Sequence, residues 1–217
     1  MASVETARAR RRRSDGEDTR RRIIDAVVAT ILEQGYYQAT SNEIARHAGV
    51  TWGAIQHLFG SREALMIGVL EEGWHQLEAR LATEQIASGA LEVRLRGVLD
   101  VLATYYESPD HIAQTQILLD FASNPATSAE TRSAIRRHGN ALNRAWQPLF
   151  EQALGEAARD RDLLLFAFYA FRGYLGSRNL ARTIATVPAD HVQRQMLVRA
   201  VAGELRAEAR RRGVSLR

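Results

Sequence analysis

Residues 41–62 read SNEIARHAGVTWGAIQHLFGSR, and this stretch decides the fold class. Ile44, Ala45 and Ala48 lie on one side of a short helix beginning near residue 41, and Gly49 supplies the turn that ends it. A second short helix opens at Thr51, a good N-cap, and stops at Gly60–Ser61. Two short helices joined by a tight glycine turn form a helix-turn-helix, whose second helix can lie in the DNA major groove.

Upstream, Ile24, Val27, Val28, Ile31 and Leu32 recur at helical spacing until Gly35 ends the run. Thr40 and Glu43 have capping-box spacing. Ser61 is the N-cap expected for a fourth helix running from Arg62 to about Ile86. Downstream, helical patterns are expected over Leu91–Tyr106, Asp110–Ala122, Ser128–Leu154, Arg161–Thr186 and Asp190–Arg212, separated by polar and Pro-containing breaks. No window alternates as a strand. The expectation is an all-α fold with about nine helices. It divides into a disordered basic arm at 1–17, a three-helix helix-turn-helix head at 18–65 and a larger helical body at 66–217.

Composition narrows the chemistry. The 217 residues are 46% hydrophobic and 25% charged, enough to bury a core, and all 29 basic residues are arginine. The absence of lysine removes Schiff-base chemistry. The absence of cysteine removes disulfides, thiolate metal sites and a thiol nucleophile, and fits a cytoplasmic setting. The N-terminus has charge but no apolar segment following it, so no signal peptide is expected. The longest apolar run, Leu163–Phe171, is too short to span a bilayer. No GxSxG, P-loop, GxGxxG or HExxH motif occurs, and the six histidines have no close ligand spacing, so neither an enzyme nor a metal or other cofactor is expected. Eight arginines (8, 10–13 and 20–22) against four acids in residues 1–22 suit a polyanionic partner such as double-stranded DNA.

From Arg22 to Leu70, RRIIDAVVATILEQGYYQATSNEIARHAGV followed by TWGAIQHLFGSREAL, the chain resembles the N-terminal region of the tetracycline-repressor (TetR) family of bacterial regulators. The resemblance implies a sequence-specific repressor, released from its operator by a small molecule. The alternative is a DNA-binding regulator without a small-molecule inducer. Gln56 stands where the family usually carries an aromatic, and Arg62 where it commonly has lysine.

The candidate DNA-contacting residues follow from the residues and the resemblance together. Thr51 caps the second helix, and its hydroxyl with nearby N–H groups can also meet a phosphate. Trp52 either presses on a thymine methyl or sugar, or packs on a neighbouring helix. Gly53 costs a helix about 0.8–1 kcal/mol relative to alanine, which close approach of backbone to DNA would justify. Gln56 and His57 point outward if Ile55, Leu58 and Phe59 point inward; Gln56 can pair with adenine and His57 can reach a base edge or phosphate. Thr40, Ser41, Arg46 and Arg62 are phosphate candidates, with capping or solvation as the alternatives. The Arg8–Arg13 run either enters a flanking minor groove or forms a solvated tail.

In the body, LLLFAFYAFRGYLGSRNLA (163–181) is apolar around most of its circumference and must be buried on several sides. The resemblance implies that this helix and the last one pair with their copies as a four-helix dimer interface. The expected interface residues are Phe168, Gly173, Gly176, Leu197, Val201 and Leu205. Such a dimer would set two reading helices about 34–36 Å apart and demand a near-palindromic operator. The resemblance also implies a ligand pocket, with Tyr105, Gln116, Phe121, Asn143, Trp146, Phe166, Tyr169 and Arg172 as candidates; Ile112, Leu119 and Phe150 also face inward. Arg172 sits inside an apolar run and needs a partner. That partner is an anionic ligand, an acid such as Asp120, or an acid across the dimer, with a protein partner preferred.

Overall fold

The computed structural model describes residues 2–216; for residues 2–15 and Thr183 only the backbone is described. Nine α-helices and one 3-10 turn follow in order among the described residues, with no strand. They are α1 (Ala2–Gln34), α2 (Ser41–Ala48), α3 (Trp52–Phe59), α4 (Arg62–Leu81), α5 (Leu91–Tyr106), α6 (Pro109–Ser123), α7 (Ala129–Leu154), the 3-10 turn (Gly155–Arg159), α8 (Arg161–Ile184) and α9 (His191–Arg212). The all-α expectation holds.

Two boundaries differ from the sequence reading. The segment 1–17, expected to be disordered, is helical from Ala2 as part of α1. It is rich in Arg, Ala and Glu, all good helix formers, and contains no proline. The contacts considered for Arg8 and Arg10–Arg13 lie outside the described side chains. Helix α4 stops at Leu81 rather than near Ile86. The chain beyond it is held open by Gln152, whose amide oxygen accepts from the Ile86 N–H at 2.8 Å while its NH2 donates to the Glu84 carbonyl.

The chain forms two compact units, Met1–Gly73 with Ile112–Arg136, and Trp74–His111 with Arg137–Arg217. The first has Ile23, Val27, Ile31, Ile44, Ile55, Leu65, Met66 and Leu70 fully buried, joined by Ala113 and Ile117 from α6. Within it Thr30 ties α1 to α2, since its hydroxyl donates to the Ala26 carbonyl at 2.6 Å and lies 2.8 Å from His47 Nδ1. The helix-turn-helix turn is built as expected. Gly49 adopts φ 65°, a left-handed conformation that favours glycine, and the Val50 N–H returns to the Ala45 carbonyl.

In the second unit α5 packs on α8 and α9 around Leu95, Trp146, Phe150, Phe171 and Leu205. A polar knot closes one part of it. Asp190, 6% exposed, accepts from the Tyr174 hydroxyl at 2.7 Å and Arg194 Nε at 2.8 Å, with Arg178 Nε 2.9 Å away. Burial pushes the Asp190 carboxyl upward. The bonds from Tyr174 and Arg194 and the charges of Arg194 and Arg178 outweigh that, so it lies below its ordinary value of 3.8. Removing this acid takes away one of the two carboxylates that serve these guanidiniums and leaves Arg194 and Arg178 with Glu107, at 2.5 Å and 4.0 Å. Asp190→Ala is expected to lower stability by about 3 kcal/mol near neutrality. A group with a depressed folded pKa stabilises above its unfolded pKa and loses that contribution as pH falls through the folded one. The gap between wild type and variant in urea midpoint should therefore be full above about pH 4 and close below it.

Candidate nucleic-acid interface

The three caps read from the sequence are all in place. Thr40 Oγ1 accepts from the Glu43 N–H at 3.3 Å, Thr51 Oγ1 from the Ala54 N–H at 3.2 Å and Ser61 Oγ from the Ala64 N–H at 3.0 Å. Glu43 does not complete a reciprocal box; its carboxylate accepts from Arg46 at 2.7 Å instead.

Helix α3 is anchored by one fully buried side chain, Ile55. Phe59 is half-buried beneath the Arg20 guanidinium, 4.6 Å from its ring centroid, and lies against Gly68 of α4, where a Cβ would come within 3.1 Å of the ring. Thr51, Gly53, Gln56 and His57 are exposed and Trp52 is half-buried. Leu58, expected to point inward, is 39% exposed and adds an apolar element to the outward face. On α2, Arg46 is exposed and Ser41 half-buried. Tyr37 was not singled out as a site residue, yet it is 80% exposed in the turn before α2. Its position after Gly35–Tyr36 was the only available signal, and spacing alone does not separate two adjacent tyrosines.

Arg62 makes its contacts within the protein. Its Nη1 donates to the Ala39 carbonyl at 2.6 Å, its Nη2 reaches the Tyr36 carbonyl at 3.5 Å, and the guanidinium lies 5.4 Å from the Tyr36 ring. It clasps the start of α4 to the turn preceding α2. Tyr36 is held from the other direction by α6. Its N–H donates to Gln116 Oε1 at 3.0 Å and its hydroxyl to Asp120 Oδ2 at 2.9 Å. Burial and the Asp120 carboxylate push the Tyr36 phenol up to about 12. The start of α4 is also tied to the start of α7, since Glu63 accepts from the Ser128 N–H and hydroxyl.

The other ligand candidates lie in different parts of the structure. Gln116 holds the turn before α2. Phe121 is 5% exposed in the core of the first unit, Trp146 is 1% exposed in the second, and Phe166 is 41% exposed. Tyr105 packs among Tyr106, His111 and Trp146. Ile112 is half-buried and Leu119 is 60% exposed. Arg172 finds no acid among the described residues. Its Nε donates to the Tyr106 hydroxyl and its Nη1 to Asn143 Oδ1 at 3.1 Å, with the guanidinium 4.7 Å from the Phe168 ring. Asp120, the acid considered for it, is engaged by Tyr36. Asn143, Phe150 and Tyr169 do line a cavity of about 450 Å3, together with Arg144, Gln147, Arg159 and Arg161, none of which was anticipated.

The expected interface residues also divide. Phe168, Val201 and Leu205 are buried within the chain itself, because they occupy the faces that α8 and α9 turn to their own core, and Leu197 is half-buried. Gly173 is exposed and Gly176 half-buried, and a Cβ on either would meet nothing within 4 Å among the described residues. The exposed apolar residues on these helices are Phe166, Tyr169, Leu180 and Ile184 on α8 and Val192 and Met196 on α9. No helix among the described residues is long and apolar enough to cross a membrane.

A capped, outward-facing second helix behind a glycine turn is the arrangement of helix-turn-helix regulators. Residues 23–69 match the model of bacterial regulatory proteins of the tetR family. The chain is 32% identical over 111 residues to TtgW, an uncharacterized HTH-type transcriptional regulator of Pseudomonas putida, covering 51% of this chain and 80% of that protein. It is 32% identical over 111 residues to the HTH-type transcriptional regulator SrpR of Pseudomonas putida, covering 51% of this chain and 50% of SrpR. The chain thus spans about half the length of SrpR. In fold it is similar to the multidrug binding protein EbrR complexed with imidazole, with TM-score 0.56, 16% identity and coverage of 84% of this chain and 93% of that one. The chain belongs to the TetR family of HTH-type transcriptional regulators, and the relatives it matches are named as regulators rather than enzymes.

Proposed function

We propose that this protein is a homodimeric repressor that binds a near-palindromic DNA operator through α3 and leaves it when a small molecule occupies the body. The observation that carries the reading is the exposed face of α3. Thr51, Gly53, Gln56 and His57 are exposed there, while Ile55 alone anchors the helix. Gln56 and His57 are the base-edge readers. Thr40, Ser41, Arg46 and Thr51 meet phosphate, the N-termini of α2 and α3 helping electrostatically. Trp52 and Tyr37 add apolar contact to sugar or thymine methyl. Arg62 positions the head rather than touching DNA, because its donors serve Ala39 and Tyr36. Residues 18–65 form the DNA-reading head and 66–217 the body that dimerises and holds the ligand.

Two features support dimerisation and induction. Exposed apolar residues recur on α8 (Phe166, Tyr169, Leu180, Ile184) and α9 (Val192, Met196), a surface that suits a second copy. The cavity of about 450 Å3 falls within the usual range for small-molecule sites, and EbrR, of the same fold, holds imidazole. This cavity favours induction over a regulator without a small-molecule ligand. Within the first unit, Tyr36 ties the turn before α2 to α6. A ligand that displaces α6 pulls Gln116 and Asp120 away from the turn that sets α2 and α3. A hundred-fold preference for the released state corresponds to about 2.7 kcal/mol of coupling.

The test is selection of DNA from a random library by the purified protein, followed by sequencing. A two-fold-symmetric motif is the expected result. Enrichment of no sequence, with only salt-sensitive binding, would reject the reading.

A further inference from the structure

The cavity in the second unit has a charge pattern that specifies its occupant. Its floor is apolar, with Phe150 and Phe168 buried and Leu164 and Leu165 half-buried. Arg144, Arg159 and Arg161 line it against one acid, Glu151, whose carboxylate is engaged by Gln147 Nε2 at 2.8 Å.

The sequence around the 3-10 turn explains why the arginines are available. Residues 159–162 read Arg-Asp-Arg-Asp, a run that would neutralise itself if neighbours paired. The fold sorts it instead. Asp160 caps α8, accepting from the Asp162 and Leu163 N–H groups, and pairs with Arg212 at 3.1 Å; Asp162 pairs with the same Arg212 at 3.0 Å. A single arginine on α9 thus engages both acids, and Arg159 and Arg161 line the cavity with no ion pair there among the described residues. Arg172, itself without an acid among the described residues, reinforces the field through its bond to the cavity residue Asn143.

We infer that this cavity binds an amphipathic organic anion, an aromatic or acyl carboxylate whose apolar body lies on Phe150 and Phe168 and whose charged end meets Arg144, Arg159 and Arg161. The inference rests on the ligand-controlled reading above and names the ligand's chemical class. An apolar wall raises the strength of the ionic contact by excluding water, and guanidinium forks match a carboxylate in two-point geometry. A neutral molecule of the same shape gains only the floor. A cation of that shape meets three like charges.

The experiment uses the full-length protein and three probes of one shape, 2-naphthoate, 2-naphthalenemethanol and 2-naphthylmethylammonium, titrated calorimetrically without DNA. The carboxylate is expected to bind about ten-fold tighter than the alcohol, and the ammonium weakest. In Arg159→Glu/Arg161→Glu, two exposed positions whose change leaves the core untouched, the carboxylate should lose at least that factor while the melting temperature holds. Equal affinity for carboxylate and alcohol, carboxylate binding indifferent to the double substitution, or no carboxylate binding up to about 1 mM overturns the inference. Operator release is measured separately by anisotropy of labelled DNA. Arginine-dependent carboxylate binding without release keeps the site and rejects induction; release by the alcohol or the ammonium alone keeps induction and rejects the anion site.

Discussion

Replacing Gly53 by alanine is expected to make the protein more stable and its operator complex weaker. A Cβ built at Gly53 meets only Thr51 Oγ1, at 3.8 Å, so the fold has room for the methyl group. Alanine is favoured over glycine in a helix by up to about 1 kcal/mol, and α3 is only eight residues long with one buried anchor. Nothing among the described residues therefore accounts for glycine here. If the backbone of α3 approaches DNA at this point, the added methyl falls between protein and groove, and affinity should drop about ten-fold, or ~1.4 kcal/mol. Thermal unfolding and anisotropy of labelled operator read the two effects independently. A more stable variant with unchanged affinity would show that DNA does not come close to residue 53. A less stable one would show that the N-terminal turn of α3 needs glycine for the fold.

The head was legible in the sequence because its determinants are local. Thr40, Thr51 and Ser61 act within three residues of themselves, and Gly49 ends α2 through its own backbone conformation. Other residues are placed by contacts distant in sequence, which the sequence does not show. Arg62 looked like a free cation, but its partners are the carbonyls of Ala39 and Tyr36. Gln116 looked like a pocket residue, but its partner is the N–H of Tyr36, eighty positions away. In α8 the apolar pattern runs around the helix, so periodicity could not separate Phe168, which is buried, from Tyr169, which is 64% exposed. In α9 the inner face is Val198, Val201, Ala202, Leu205 and Ala209, while the outer face mixes Val192 and Met196 with Arg199 and Gly203. An outer face of such mixed polarity gives little contrast, which is why Val201 and Leu205 were read as outward.

That exposed surface leads to the largest expected effect. If the protein is the dimer proposed above, Gly176→Arg with Met196→Arg should give a monomer and weaken operator binding at least about a hundred-fold. Both positions tolerate the change within one chain: a Cβ on Gly176 meets nothing within 4 Å, and Met196 is 58% exposed. Arginine is also the better helix former at residue 176. The substitutions therefore act on the outer faces of α8 and α9 rather than on the core, and in the proposed two-fold interface, where the same patch meets itself, they would place four like charges. The affinity loss follows from effective concentration. When one head is bound, its partner is delivered to the second half-site at a local concentration that raises avidity by roughly 10² to 10⁴ over a single head, and a monomer forfeits that factor while each head keeps its own contacts. Sedimentation velocity should show half the wild-type mass, and binding to an isolated half-site should match that of wild type. A variant that stays dimeric would move the interface to another face, and a monomer with undiminished operator affinity would mean that a single head reads the whole site.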